Sequence, residues 1–287
     1  MRRPLTLLLL LLTTLPLTAQ VRLGRGELGL TLGGMNYLGD LNDQSMLGQV
    51  SPAGGLTARL NINSRWALAL GGTYGHIRGG NPDVDALRNL SFRSHIAEGF
   101  LRVEFNFFPY GLQQGVQKRL TPYIFCGIGF FTFAPQAQYI DSLSGRTDWY
   151  DLQPLGTEGQ GTLQYPDRLK YQLVETCMPF GIGFRYRLSP SIHITAEYGW
   201  RKTWTDYLDD VSTTYVGEEV LSGESGGGTM AVLLADRSGE VREGYVNAPG
   251  IKRGDDSLDD WYACFNLTLS VSMETLCGWM RGKNCER

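Results

Sequence analysis

The stretch "AEGFLRVEFNF" (residues 97–107) decides the fold, because its side chains alternate strictly between two faces. One face consists of Ala97, Gly99, Leu101, Val103, Phe105 and Phe107, and the other of Glu98, Phe100, Arg102, Glu104 and Asn106. A period of two is typical of a β-strand whose two faces have different surroundings. The charges on one face and the unbroken apolar row on the other predict a wall between a polar and an apolar space.

The same alternation recurs along the chain and predicts about eight strands. It is clear in residues 56–62, 180–187, 192–201 and 263–273, and less clear in the glycine-rich segments 26–37, 66–77 and 122–133. Strands of ~10 residues are long enough to cross a bilayer at a tilt. An even number of antiparallel strands closes a barrel and returns both ends of the chain to one side.

The connections between these strands alternate between long and short. The long ones lie near 38–50, 78–91, 134–170 and 205–260, and the shorter ones are 63–65, 109–121 and 189–191. Outer-membrane barrels have long extracellular loops and short periplasmic turns, with aromatic residues at the strand ends. The sequence therefore predicts an all-β fold: an eight-stranded antiparallel transmembrane β-barrel with long extracellular loops and short periplasmic turns.

A soluble barrel of the lipocalin kind shows the same alternation with the apolar face turned inward. Charges of both signs on the polar faces favour the membrane alternative, because they can pair inside the barrel. We expect these residues to form a polar plug of the lumen: Arg59, Glu98, Arg102, Glu104, Arg185, Glu197 and Arg201. The interior of an eight-stranded barrel is only wide enough for side chains, so a porin is excluded.

The N-terminus and the composition predict the compartment. Arg2 and Arg3 precede an apolar run, and Ala19 ends a segment typical of a secretory signal peptide, so we assign residues 1–19 to that peptide. Residues 20–273 form the predicted barrel, and residues 274–287 form a periplasmic C-terminal tail. Both termini of the mature chain are then periplasmic. A net charge of −3 without a basic stripe argues against nucleic acid as a partner.

Three stretches carry a family resemblance: "LGLTLGGMNYLGDLN" (28–42), "TPYIFCGIGFFTFAP" (121–135) and "EYGWRKTWTDYLDDVSTTY" (197–215). Together with the barrel pattern they resemble the PorG family, the outer-membrane barrels of the type IX protein secretion machinery. The resemblance implies a non-enzymatic component without cofactor or small-molecule substrate. It also implies a periplasmic ring as partner, which that family's machinery builds from the lipoprotein PorK and its partner PorN.

The acidic cluster Asp206, Asp209 and Asp210 admits three interpretations. It is a hydrated, hydrogen-bonded rim at the base of the longest loop, a calcium site with Asp40, or a catalytic carboxylate pair. Catalysis would need a nucleophile, a base and an orienting group. The three histidines, His76, His95 and His193, have no GxSxG segment to serve, so we predict no enzyme. An adhesin-like or purely structural barrel is the first alternative function, and a lipid-modifying barrel enzyme is the second.

The candidate partner-binding residues lie in a turn and in the tail. Lys118 and Arg119 form a basic pair in the 109–121 turn, on the predicted periplasmic side. Cys277 and Cys285 lie in the tail, in a compartment where thiols are oxidised. These two cysteines either pair with each other, or one of them forms a disulfide with a ring lipoprotein. The remaining cysteines lie within strands, where a lone cysteine is usually a small buried hydrophobe.

Overall fold

The computed structural model describes residues 26–42, 49–80, 88–110, 118–141 and 144–281, and side chains as far as residue 277. The strands are β1 (Gly26–Leu38), β2 (Ser51–Asn61), β3 (Trp66–Gly79), β4 (Phe92–Asn106), β5 (Leu120–Ile140), β6 (Thr147–Asp151), β7 (Val174–Arg187), β8 (Ile192–Thr203) and β9 (Trp261–Ser272). The α-helices are α1 (Leu152–Leu155), α2 (Glu218–Ser222), α3 (Thr229–Ala235) and α4 (Met273–Arg281). None of the described helices combines the length and the apolar character needed to cross a membrane.

Eight of these strands form a closed antiparallel barrel. Their order around the wall is β1, β2, β3, β4, β5, β7, β8, β9, and β9 pairs back with β1. The closing seam is long, because it runs from Glu27 opposite Ser272 to Leu38 opposite Trp261. The predicted fold class, an eight-stranded antiparallel barrel, is confirmed.

The β6 strand is the element that the sequence analysis missed. β5 contains 21 residues and continues past the barrel wall, where residues 136–140 pair with β6. The hairpin turn is closed by a hydrogen bond from the Asp141 amide to the Arg146 carbonyl. Part of the segment 134–170, expected to be loop throughout, is therefore a β-ribbon above the barrel.

The outer wall of the barrel is mostly apolar and exposed, whereas the buried charged side chains of its strands point inward. Outward-facing leucine and isoleucine side chains remain more than half exposed on several strands, among them Leu30, Leu56, Leu70, Ile128 and Leu267. A soluble barrel would show the opposite arrangement, with polar residues outside. Because such an apolar band is covered only in a bilayer, the molecule is a membrane barrel of the outer-membrane kind.

The two ends of the barrel differ. At the short-turn end the strands are joined by residues 62–65, 107–119 and 188–191. The start of β1 and the end of β9 lie at this end too. At the long-loop end lie the described residues 39–42, 49–50, 80, 88–91, 141, 144–173 and 204–260. We call residues 152–173 and 204–260 the cap, since they cover that mouth. The described part of the tail starts with α4, which follows β9 at the short-turn end.

Candidate functional site

The lumen beside the short-turn end is filled by a network of buried ion pairs centred on Glu104. The Arg59 Nε lies 2.7 Å from Glu104 Oε2, the Arg185 Nη2 lies 2.6 Å from the same oxygen, and the Arg102 Nε lies 3.0 Å from Oε1. The Glu104 carboxylate is fully buried. Three guanidinium groups therefore share one carboxylate, and each of them is also close to other acceptors.

The network extends along the wall in both directions. Arg59 pairs with Glu27 at 3.1 Å, and Arg102 pairs with Glu197 at 2.6 Å. Nearer the long-loop end, the Arg201 Nε lies 3.1 Å from a Glu98 oxygen. The structure thus places all seven predicted plug residues in the lumen.

Sequence analysis did not assign several members of this network, among them Glu27 and Tyr123. The Tyr123 hydroxyl donates to Glu197 at 2.7 Å. Glu27 was recognisable from the alternation in β1, where it lies on the same face as Gly29 and Thr31. With Glu27 included, four arginines and four glutamates of the described lumen residues balance in charge. Balanced pairing reduces the cost of burying so many charges.

The lumen beside the long-loop end is filled differently, by apolar and aromatic side chains. This cluster consists of Met35, Tyr37, Leu41, Ile77, Leu90, Phe92, Ile96, Phe131, Phe133, Cys177, Leu208, Val211, Tyr262 and Cys264. Two of its members, Leu208 and Val211, come from the cap and enter the barrel mouth. At the opposite end the Tyr110 hydroxyl lies 2.6 Å from His193 Nδ1, and both residues are buried. Side chains therefore fill the interior from one end to the other.

A carboxyl pair anchors the cap to the first strand. The Tyr37 hydroxyl lies 2.7 Å from Asp209 Oδ2 and 2.7 Å from Asp260 Oδ1. A hydroxyl donates a single proton, so the second short contact requires a proton on one of the two carboxyls. Burial raises the pKa of Asp209 well above its usual range. Burial, with the charge of Asp209, does the same to the pKa of Asp260.

Gly39 allows the backbone to pass close to this carboxyl pair. A Cβ atom at this position would lie 1.8 Å from an Asp260 oxygen and 2.1 Å from the Tyr37 hydroxyl. Only glycine leaves room for that approach. The neighbouring Asp40 carboxylate accepts a hydrogen bond from the Asp255 amide. The Gly39-Asp40 pair thus locks the first long loop against the last one.

Arg253 and Glu158 hold the two parts of the cap together. Both side chains are buried, and the Arg253 Nη1 lies 3.1 Å from Glu158 Oε1. The Glu158 carboxylate also accepts from the amides of Ser212 and Thr213, each at 2.9 Å. Sequence analysis singled out neither Arg253 nor Glu158, because a long loop has no periodic pattern that distinguishes its buried positions from its exposed ones.

The acidic cluster, predicted to be a hydrated rim, is largely buried in the structure. Asp209 and Asp210 are buried rather than hydrated. The Tyr171 hydroxyl donates to Asp210 at 2.7 Å, and Thr157 and Arg253 also contact this carboxylate. Asp206 is half-buried beside them, and burial raises its pKa to about 7. In the described part of the chain, no three His, Cys, Asp or Glu side chains are grouped so that they could hold a metal ion.

The predicted partner-binding residues lie at the short-turn end. Lys118 and Arg119 are exposed there, and the Lys118 ammonium lies 3.8 Å from the centre of the Phe108 ring. Cys277 is a free, half-buried thiol in α4. Cys285 lies outside the described residues, so its predicted pairing stays a prediction.

The three histidines are not brought together. His76 and His95 lie opposite each other on the outer wall between β3 and β4. His193 lies in the lumen at the other end. No catalytic arrangement of these residues follows from their positions.

The closed wall, the apolar outer face and the ion-paired lumen define the class of protein: a small β-barrel of the outer-membrane type with a filled interior. The chain matches, over residues 2–153, the family described as Domain of unknown function (DUF6089), and it belongs to that family. No curated protein matches the sequence.

Solved outer-membrane barrels are similar to this chain at low identity. Neisserial surface protein A (NspA) is 8% identical with a TM-score of 0.39, and the match covers 86% of this chain and 96% of that one. Ail of Yersinia pestis, solved in complex with a heparin analogue, is 10% identical with a TM-score of 0.37, covering 86% and 98%. OprG from Pseudomonas aeruginosa is 12% identical with a TM-score of 0.38, covering 86% and 96%. These values support no functional assignment, and the fold rests on the strand pairing itself.

Proposed function

We propose that this protein is a non-enzymatic outer-membrane component of the type IX secretion machinery, which anchors or organises the periplasmic ring at the membrane. The filled lumen is the observation that carries this proposal. Ion pairs occupy one half of the interior, apolar side chains occupy the other, and the cap covers the mouth. A barrel without an open path has no use as a channel, so its function lies in the surfaces that it presents at the two ends.

The segments that resemble the PorG family give the proposal its second support. "GGMNYLGDLN" (33–42) and "RKTWTDYLDDVS" (201–212) lie far apart in the chain, but they meet where Tyr37 contacts Asp209. Gly39 has its place because a side chain there would collide with Tyr37 and Asp260. The resembling residues thus lie together in one structural unit, at the junction of β1 and the cap.

In this proposal the short-turn end and both termini face the periplasm. The partners are ring proteins of the PorK and PorN kind, and the docking surface includes Lys118, Arg119 and the tail. This end is basic in the described residues, where Arg65 and Arg187 add to the basic pair. Cys277 or Cys285 links the tail covalently to the ring lipoprotein, which raises the effective concentration of weaker contacts nearby.

Deletion of the gene combined with affinity purification tests the proposal. We expect the deletion to abolish export of type IX cargo while the permeability of the membrane to small solutes stays unchanged. Purification of the tagged protein from detergent extracts should bring down the periplasmic ring. An adhesin-like or structural barrel would bring down no ring, and a steady open conductance after reconstitution would contradict the filled lumen.

The covalent link has its own test. A non-reducing gel of whole cells should show a larger species in the wild type that Cys277→Ser or Cys285→Ser removes. A band of monomer size in all three strains, unchanged by reductant, would rule out the intermolecular disulfide while leaving the wider proposal open to the export assay.

A further inference from the structure

The outer wall of the barrel contains a recess near the short-turn end. It has a volume of about 330 Å³ and is lined by Trp66, Val103, Phe105, Ile124, Phe125 and Cys126. These residues come from β3, β4 and β5, which are neighbours in the wall. The recess is open to the outside of the barrel, so the hydrocarbon of the bilayer reaches it directly.

The recess exists because a small side chain lies among large ones. Cys126 faces outward and pairs with Val103 on one side and Phe180 on the other. Ile124, two residues earlier on the same face, pairs with Phe105 and is 44% exposed. Trp66 and Phe105 form the edge of the recess nearest the short-turn end, with ring centres 4.8 Å apart. The result is an apolar pocket bounded by an aromatic ledge at the depth where tryptophan meets the membrane interface.

Two cationic side chains, Arg65 and Lys118, lie beside this aromatic edge at the short-turn end. The Arg65 Nη1 donates to the Phe107 carbonyl at 2.7 Å, and the Phe107 ring packs edge-on against Phe105. The Lys118 ammonium lies 3.8 Å from the centre of the exposed Phe108 ring. Both cations are exposed, and Arg119 follows Lys118. Among the described residues of the connecting turns at this end, 62–65, 107–110, 118–119 and 188–191, no carboxylate opposes them.

We propose that this recess and its cations form a binding site for a single phospholipid of the leaflet at the short-turn end. One acyl chain occupies the recess, where it contacts Cys126, Ile124 and the ledge formed by Trp66 and Phe105. The phosphate lies between Arg65 and Lys118, because basic side chains just outside the hydrocarbon attract lipid phosphates. The site rests on the membrane location of the barrel and does not depend on the role in secretion.

Photo-crosslinking in vesicles tests the site. The purified barrel is reconstituted in phosphatidylcholine vesicles with a trace of phosphatidylglycerol that carries a diazirine on one acyl chain. A parallel sample contains diacylglycerol with the same diazirine chain and no phosphate. We expect crosslinks to concentrate on the recess residues for the phosphatidylglycerol probe and to fall for the diacylglycerol probe. Removing one cation should lower the yield about fivefold.

Matched variants separate the recess from the rest of the wall. Ile124→Trp fills the recess and should abolish the concentrated labelling, and Arg65→Ala or Lys118→Ala should reduce it. Leu269→Trp on the opposite wall and Arg242→Ala at the long-loop end should leave it unchanged. Heat-modifiable gel mobility verifies that each variant is folded. Equal labelling of both walls, or equal labelling by both probes, would overturn the proposal.

Discussion

Glu104 balances three arginines at once, which makes it the most heavily shared carboxylate among the described lumen residues. Glu104→Gln keeps the shape of the side chain but leaves Arg59, Arg102 and Arg185 with less opposing charge. Breaking a buried ion pair on one side costs about 3–5 kcal/mol. We expect the free energy of unfolding of the barrel, measured by urea titration in detergent, to fall by about that amount.

The control for this variant is Glu243→Gln, which removes an exposed carboxylate from the cap. Exposed substitutions usually change stability by less than about 0.5 kcal/mol. If both variants lowered the free energy of unfolding equally, the lumen network would not be the structural centre that its geometry indicates.

Asp206 gives the cap a dependence on pH. Burial raises the pKa of its carboxyl to about 7, the Ser212 hydroxyl lowers it, and the carboxylates of Asp40 and Glu158 raise it further. Because the folded pKa lies above the ordinary value, the protonated form stabilises the cap at low pH. That stability is lost as the pH rises from about 4 through about 7.

The variant Asp206→Asn removes the titrating group, so we expect it to flatten part of this dependence. Hydrogen exchange in residues 204–260, corrected for its intrinsic pH dependence, should show that the wild-type cap opens more readily at about pH 8 than at about pH 5. The difference should be smaller in the variant and unchanged in Asp256→Asn, which removes an exposed carboxyl. A wild-type cap that grew more stable with rising pH would contradict the assignment.

For single residues, the sequence predicted which side chains face the lumen of the barrel, but it did not predict which side chains of the long loops are buried. Period-two alternation placed Glu98 and Arg102 on the inner face, because a strand has only two faces. A long loop has no such period. Asp209 and Asp210 were therefore predicted to be hydrated. In the structure both are buried, because Tyr37 donates to Asp209 and both Tyr171 and Arg253 contact Asp210.

Gly33 lies at a close approach of the two strands in the seam between β1 and β9. A Cβ atom at Gly33 would lie 2.0 Å from the Phe265 carbonyl oxygen and 2.6 Å from Asn266 Oδ1. Gly33→Ala must therefore push the two strands apart. We expect it to cost about 1–3 kcal/mol, the usual price of overpacking, measured as the urea midpoint of the purified barrel.

Gly99 in β4 is the matched position, because a Cβ atom there meets no atom within 4 Å. Gly99→Ala should leave the urea midpoint close to that of the wild type. A loss of stability as large as that of Gly33→Ala would mean that strand glycines act through backbone freedom rather than through the closeness of the seam.

Element boundaries followed the sequence where the wall repeats and departed from it at the ends. The long connection after β5 was expected to be irregular, but the alternation of Ala137 and Tyr139 with polar neighbours continues into the ribbon with β6. The tail was assigned no secondary structure from the sequence, and α4 begins directly after β9. Helical period in so short a segment is difficult to recognise after a run of strand alternation.

At the scale of the whole molecule, the same strands form the filled lumen and the apolar wall, through residues at alternate positions. Each strand presents one face to lipid and the other to the lumen, so the wall and the filled interior fold together. The cap then buries its acidic groups against the mouth through Tyr37 and Arg253. Closure at β1–β9 was predictable from the even strand number, whereas the cap's packing was not, since it joins loops distant in the chain.

The orientation of the barrel can be read from protease cleavage of intact cells. If the long-loop end faces outward, trypsin added to cells should reach exposed basic residues of the cap, such as Lys170 and Arg242. The basic residues Arg65 and Lys118 at the short-turn end should be cut only after the membrane is permeabilised. The folded cap slows cleavage but leaves these side chains in solvent, because exposed loop positions are the preferred sites of proteolysis. Mass spectrometry of the fragments decides the outcome, and cleavage confined to the 109–121 turn in intact cells would invert the topology and remove the periplasmic docking surface from the proposal.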